Sequence, residues 1–535
     1  MSIEYFVEGK VISKSEGDYL ARTKGNISHS TQKEVRQNGK ETGVSYNKCD
    51  TIHPADTPVN TIDVSLNLFF DGTQNNKTNT EAGKNHPNSN HKDDSFNNDY
   101  SNVARGFDAI DPEESDQIAI YVEGIGTEDL QSESIPFTTW PNNLGIPLGT
   151  GPRGIKAKVS KGCRLAGQKL RPYAGKDFNL IVNVYGFSRG AAAARHFVHI
   201  ATQSAKTMTI YKNKGVVLAP YDDITQRINV DLSDPILQFG YFGACLLENG
   251  AIPKNITFNF AGLYDTVAAY GLNHRGTSDG LVQSDTEQLG LTSVSKSFFI
   301  LQIAADDEYR DNFDLTDIKA AGVKGLQFTL PGAHSDIGGS YVDGVEEVVH
   351  LCSEWQYTTD CQKFRDILIE EGWYLPKQLQ IINATPEFKR GPNRKNILVG
   401  TRTLRNTYDK LALNTMFNYS SLEPFGVKYK STELNDHQIS EPFLQTVSDM
   451  LKRYMNSCNN LRNTYVKEYN KSRNSGNYLS ELEKINYSRF IEIVHLKELR
   501  NKYLHWSASV SKLGLSPRVR KAVSGTERKR NIQDG

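Results

Sequence analysis

Ser188 lies between two glycines in Gly186-Phe187-Ser188-Arg189-Gly190, after an apolar run at residues 180–185 and before four consecutive alanines at 191–194. A serine projected from so sharp a strand-to-helix turn needs residues without side chains two positions away on either side, because the two backbones come together there. The pattern is that of a nucleophile elbow, whose chemistry is acyl transfer through a serine ester. A serine alcohol is a poor nucleophile at neutral pH. The chain must therefore also bring a general base to it, and a carboxylate to hold that base in one tautomer.

On hydrolase sheets these partners follow the serine in the order acid, then histidine, each on a loop after a strand. Asp265 follows the apolar stretch 256–263, and His334 follows 325–330, so this pair fits the order. Two groups compete with it. His505, in Tyr503-Leu504-His505-Trp506-Ser507, ends a helical run and not a strand, while Asp306 and Asp307 end an apolar stretch but stand beside Arg310, a ready ion-pair partner. His196 and His199 fall on the helix after the elbow, where packing is the expected role. The oxyanion formed on the attacked carbonyl needs two donors. One is the N–H after the nucleophile, on Arg189; the other belongs to an early strand-end loop, where Asp71-Gly72-Thr73 offers Gly72.

The elements that must position these residues read as strands ending in short polar loops. Residues 64–70 run into Asp71-Gly72-Thr73, 118–122 into Glu123-Gly124-Ile125-Gly126-Thr127, 256–263 into Tyr264-Asp265-Thr266, 298–304 into Asp306-Asp307-Glu308, and 325–330 into Pro331-Gly332-Ala333-His334. Helical stretches, notably 155–170, separate several of them. Strands alternating with helices specify a mainly parallel, doubly wound sheet of α/β-hydrolase type. Ligands of such sheets bind beyond the carboxyl ends of the strands, where every cluster just named falls. Residues 1–60 are polar and read as an irregular N-terminal arm, 61–345 as the catalytic core, and 346–535 as a mainly helical C-terminal region. There Phe443, Leu444, Val447, Met450, Leu451, Tyr454 and Met455 make one apolar helix face, expected to cover the core, with a lid or a membrane contact as the alternatives. The basic tail after Pro517 reads as solvated charge.

Composition excludes other classes. Lys plus Arg and Asp plus Glu are both 62, so no charge imbalance points to nucleic acid as a partner. The first residues lack the basic and apolar regions of a signal peptide, and no apolar stretch approaches the ~18 residues of a membrane span, so synthesis in the cytoplasm without Sec-type export is expected. Six scattered cysteines read as free thiols, with Cys352 and Cys361 the one pair that could join. No cofactor and no metal is expected, because the acidic residues near Asp306 and Asp336 lack EF-hand spacing. Phe69 occupies the place of the nucleophilic carboxylate of an aspartyl-phosphate phosphatase loop, and Pro152 removes an amide from the dinucleotide-like spacing 149–154.

The ordered set Leu68-Phe69-Phe70-Asp71-Gly72-Thr73-Gln74-Asn75-Asn76, Gly186-Phe187-Ser188-Arg189-Gly190, Gly262-Leu263-Tyr264-Asp265-Thr266-Val267, Asp307-Glu308-Tyr309-Arg310 and Pro331-Gly332-Ala333-His334-Ser335-Asp336-Ile337-Gly338-Gly339 resembles the class-one type VI secretion lipase effectors, which have an α/β-hydrolase core. The resemblance implies a phospholipase A that hydrolyses acyl esters of membrane glycerophospholipids. It implies injection into the periplasm of rival bacteria, a VgrG spike protein as carrier and a cognate immunity protein in the producer. It puts the family's catalytic serine, aspartate and histidine on Ser188, Asp265 and His334. Gln74 departs from the glycine that related cores often carry there. The same triad would serve a soluble esterase or acyltransferase on a non-lipid ester, and an inactive core serving as a secretion adaptor is the reading from another class.

Overall fold

The computed structural model describes residues 61–85, 93–114, 116–133, 149–270, 283–383, 395–472, 478–512, 514–519 and 523–535. Six apolar segments form the strands β1 (Ile62–Phe70), β2 (Gln117–Val122), β3 (Phe178–Phe187), β4 (Asn255–Tyr264), β5 (Phe299–Ala305) and β6 (Gly325–Leu330). They make one parallel sheet in the order β6-β5-β4-β3-β1-β2. The fold is the doubly wound α/β-hydrolase-like sheet that the sequence specifies. From β1 the chain moves outward to β2, then returns to the other side of β1 and continues from β3 away from it. The loops after β1 and β3 therefore diverge, and the crevice between them is where ligands of such sheets bind. The expected N-terminal arm at 1–60 lies outside the described residues.

Alternation of side chains feeds two cores. Leu66, Leu68, Leu180, Val182 and Val184 pack against the helices Ile155–Leu170, Arg189–Ile200 and Gly240–Glu248. Ala191, Ala192, Ala193 and Ala194 are all 0 % exposed, and such small side chains let the helix after the elbow lie close on the sheet. The opposite face carries Phe69, Tyr185, Phe187, Phe260 and Tyr264. Three buried asparagines cross this face as a ladder: Asn259 Nδ2 donates to Asn183 Oδ1 at 3.2 Å, and Asn183 Nδ2 to Asn67 Oδ1 at 2.9 Å. Buried amides are costly unless paired, so the ladder fixes how β1, β3 and β4 are registered.

Residues beyond 345 cover this second face, and Asn60–Gly535 forms one compact unit. The helix Pro442–Ser472 buries Leu444, Val447, Met450, Leu451, Tyr454 and Met455 there, and the Tyr454 hydroxyl accepts the Thr329 N–H at 3.0 Å. Its apolar face is thus turned to the sheet and not outward. A three-stranded antiparallel sheet of Glu346–Trp355, Lys395–Thr403 and Leu379–Asn383 also lies in this region, where the sequence suggested helices. Its strands are half-exposed, with Glu346, Glu347, Glu354 and Lys395 interrupting the apolar pattern that marks the central strands. Among the described residues no helix is long and apolar enough to cross a membrane. The Cys352 and Cys361 sulfurs are 3.6 Å apart as free thiols.

Candidate active site

Ser188 has φ 58° and ψ −129°, a left-handed backbone that non-glycine residues adopt only where the surroundings enforce it. The two glycines make the turn possible. A Cβ on Gly186 would stand 2.4 Å from the Gly190 carbonyl oxygen, and one on Gly190 would stand 2.2 Å from that of Asp71. The Ser188 N–H donates to the Tyr264 carbonyl at 3.0 Å, and its carbonyl accepts the Val267 N–H at 3.3 Å. The elbow is therefore laced on both sides to the loop that carries Asp265.

Asp265, fully buried, follows β4 with its N–H on the Ile303 carbonyl at 2.8 Å. Its Oδ2 accepts from His334 Nδ1. Its Oδ1 accepts from the Ala305 N–H at 2.8 Å and from Arg530 Nη1 at 2.6 Å. His334 comes from the end of β6, two strands away, so its loop must cross the end of β5. Paired bonds hold that crossing: Gly332 N–H to Asp307 Oδ2 and Asp307 N–H to the Gly332 carbonyl, both 2.9 Å. The imidazole packs between Phe187, 4.5 Å away between centroids, and Phe313, 5.1 Å away. Among the described residues the Ser188 hydroxyl makes no hydrogen bond; contacts of this kind tighten when substrate is bound.

Burial pushes the His334 imidazole below its ordinary pKa, and the attraction of Asp265 offsets this only in part. Burial alone would raise Asp265, but the Arg530 guanidinium and the His334 bond together hold it below the usual carboxylate value. The pair is thus a neutral imidazole on a carboxylate at neutral pH, the form in which His334 accepts a proton. A base with a lowered pKa keeps that form further into acid. The acid limb of kcat/KM is expected below about pH 6.5, the ordinary histidine value, and a pH profile with a soluble ester checks it.

The loop after β1 faces the elbow across the crevice. Asp71 is buried and accepts from Ser101 Oγ at 2.6 Å, from the Gly72 N–H at 2.7 Å and from the Tyr121 hydroxyl. Burial raises its pKa to about 6 against these bonds. Gly72 is needed where it stands, since a Cβ there would meet Phe187 Cδ1 at 2.5 Å. Its N–H, however, is taken by Asp71 and is not directed at an oxyanion, because the aspartate just before it places a carboxylate on the next amide. Arg189 is the first residue of the helix, a position whose N–H has no intrahelical acceptor. Its Nε donates to Thr73 Oγ1 at 2.8 Å, which ties the elbow to the β1 loop.

The family model for the catalytic domain of Tle1-like phospholipase effectors of the type VI secretion system matches residues 65–358, more than half of the chain. The chain belongs to this family. Among solved structures, the chain is similar to the Tle1 effector bound to the VgrG spike, with 18 % identity, 94 % of this chain and 99 % of that chain covered, and a TM-score of 0.55. An uncharacterized protein from Pseudomonas aeruginosa is more distant, with 16 % identity, 74 % and 51 % covered, and a TM-score of 0.35. No curated protein matches.

The residues that compete for the triad have other partners in this Tle1-like effector. His505 Nδ1 bonds to Asp336 Oδ1 at 2.7 Å and its ring stacks on Tyr341, 3.6 Å away. Asp306 accepts the Tyr487 hydroxyl at 2.8 Å. Arg310 pairs with Glu308 at 2.9 Å and not with the aspartates before it, contrary to the sequence expectation. His196 bonds to the Leu289 carbonyl at 2.7 Å and is pushed to about pKa 3 by burial, which leaves it a packing residue. Sequence reasoning missed Glu308 and Arg530. Glu308 accepts the His334 N–H at 3.3 Å and the Ser507 hydroxyl at 2.8 Å, and its place in Asp307-Glu308-Tyr309-Arg310 was the available signal. Arg530, in a tail expected to be solvated, reaches Asp265, and nothing local announces it. Among the described residues no His, Cys, Asp and Glu side chains cluster to hold a metal ion.

Proposed function

We propose that this phospholipase effector is a phospholipase A that cuts acyl esters of membrane glycerophospholipids by a Ser-His-Asp mechanism. The observation that carries the reading is the Asp265–His334 pair set beside the strained Ser188 turn at the switch point of the sheet, in a chain of the phospholipase-effector family. Ser188 Oγ attacks the ester carbonyl while His334 takes its proton and Asp265 holds the imidazole; His334 then returns the proton to the departing lysophospholipid oxygen. Water attacks the acyl-enzyme in the same way and releases the fatty acid. The oxyanion is met by the Arg189 N–H and by an amide of the Asp71 loop. With the Gly72 amide held by Asp71, the Thr73 amide is the donor that loop offers.

The catalytic core is residues 61–345, with 346–535 as its cover. The similarity to an effector bound to a VgrG spike favours a spike protein as carrier; delivery into the periplasm of rival bacteria and a cognate immunity protein in the producer are parts of the same proposal. Phosphatidylethanolamine–phosphatidylglycerol vesicles test the activity. Mass spectrometry is expected to find lysophospholipid and fatty acid in equal amounts, formed faster than the acid from a soluble short-chain ester at equal ester concentration. Hydrolysis of the soluble ester with intact vesicles would favour the non-lipid esterase.

A further inference from the structure

The segment 523–535, read from its sequence as a solvated basic tail, is built into the wall of the site. Ile532–Gln533 pairs in parallel with Leu315–Thr316, through Leu315 N–H to the Asn531 carbonyl and Asp317 N–H to the Gln533 carbonyl, both 3.0 Å. The same short strand touches the acid loop directly, with Thr316 N–H on the Thr266 carbonyl at 2.9 Å. Upstream, Arg528 pairs with Glu371 and lies over the rings of Tyr309, Phe364 and Trp506. Anchored on both sides, Arg530 has a side chain only 5 % exposed. Its Nε donates to the Phe313 carbonyl and its Nη1 to Asp265 Oδ1 at 2.6 Å.

We propose that Arg530 is a positioning residue of the triad: it fixes the Asp265 carboxylate so that Oδ2 is presented to His334, and supplies the positive charge that lets this carboxylate stay ionised while fully buried. The proposal rests on the Ser188–His334–Asp265 reading. The geometry divides the two oxygens between two tasks. Oδ1 is filled by Arg530 and the Ala305 amide, so Oδ2 is left for the imidazole. A buried carboxylate without a partner would be protonated or would turn away, and either loses the tautomer that presents Nε2 to the serine. Glu308, Arg310, Arg518 and Asp314 are the other charged groups around the pair; Arg310 is neutralised by Glu308 and Arg518 by Asp314. Arg530 is thus the cation committed to Asp265.

The rate at which a fluorophosphonate labels Ser188, followed from pH 4 to 8 on the full chain, reads the dyad without a choice of lipid. Arg530→Gln is expected to slow labelling roughly 10–100-fold, the usual loss when an outer partner of a site residue is removed. It is also expected to move the acid limb downward by about half to one pH unit, because a carboxylate that is protonated or turned away no longer holds the imidazolium. Arg530→Lys keeps the charge and should hold the limb at its native place while recovering part of the rate. Arg528→Gln should lower the melting temperature and leave the limb unmoved. Native rate and native limb in Arg530→Gln overturn the proposal. Should that variant not fold, the lysine variant decides alone: a limb that moves although the charge is kept overturns the proposal, and one that stays supports it. Ser188→Ala separates this from failure of the triad itself, since labelling that persists in that variant places the nucleophile elsewhere whatever Arg530 does.

Discussion

Ser188→Ala is expected to lower fatty-acid release from phospholipid vesicles by roughly 10⁵–10⁶-fold, the loss seen when a triad nucleophile is removed. The size follows from how completely the surrounding geometry is spent on one atom. The turn holds Ser188 at φ 58°, and a Cβ on Gly186 or Gly190 would meet backbone oxygen at 2.4 or 2.2 Å. Stability should be unchanged within about 0.5 kcal/mol, since the hydroxyl has no partner among the described residues and the bonds of the turn are made by its backbone. Vesicle hydrolysis and thermal melting of the same preparation check both parts. Undiminished release by a folded variant would sink the mechanism.

Asp265→Asn should lose activity by about 10⁴-fold and, unlike the serine variant, stability as well. An amide cannot accept at both positions. If its oxygen stays with Ala305 and Arg530, its NH₂ faces His334 Nδ1 and donates to it, which puts the ring proton on Nε2 and leaves no lone pair for the serine. If it flips, the NH₂ meets the Ala305 amide and the Arg530 guanidinium, donor against donor. In both cases Arg530 loses its counter-charge while buried, a loss of about 3–5 kcal/mol for a broken buried pair. Fluorophosphonate labelling and chemical denaturation, run together, test the pairing of the two effects. A stable asparagine variant would show that the guanidinium finds another acceptor.

The site was legible where its chemistry is local. Gly186 and Gly190 announce the elbow because a Cβ at either would strike the backbone, and the order Ser188, Asp265, His334 follows from loops at successive strand ends. The strand Gly325–Leu330 falls where the sequence puts it because no charge interrupts it, and the helix Ile155–Leu170 because Ile155, Val159, Cys163, Ala166 and Leu170 recur at helical spacing between its basic residues. What stayed hidden depends on distant partners. The charge of Arg530 looks solvated until the strand Leu315–Thr316 receives its neighbours. Gly72 looked like an oxyanion donor because a sequence does not say where the side chain of Asp71 turns. The antiparallel sheet beyond residue 345 has half-exposed strands, so its apolar signal is diluted to a level that helices also produce.

The bond from Arg530 to Asp265 joins positions 265 residues apart. Ribosomes add about 5–20 residues per second, so roughly 13–50 s pass between the emergence of the carboxylate and that of its guanidinium. During that interval the nascent chain contains Ser188 and Asp265, and after 69 more residues His334, but the acid lacks the guanidinium it is buried with. The carboxylate therefore gains its buried counter-charge only after all six strands of the central sheet have been synthesised.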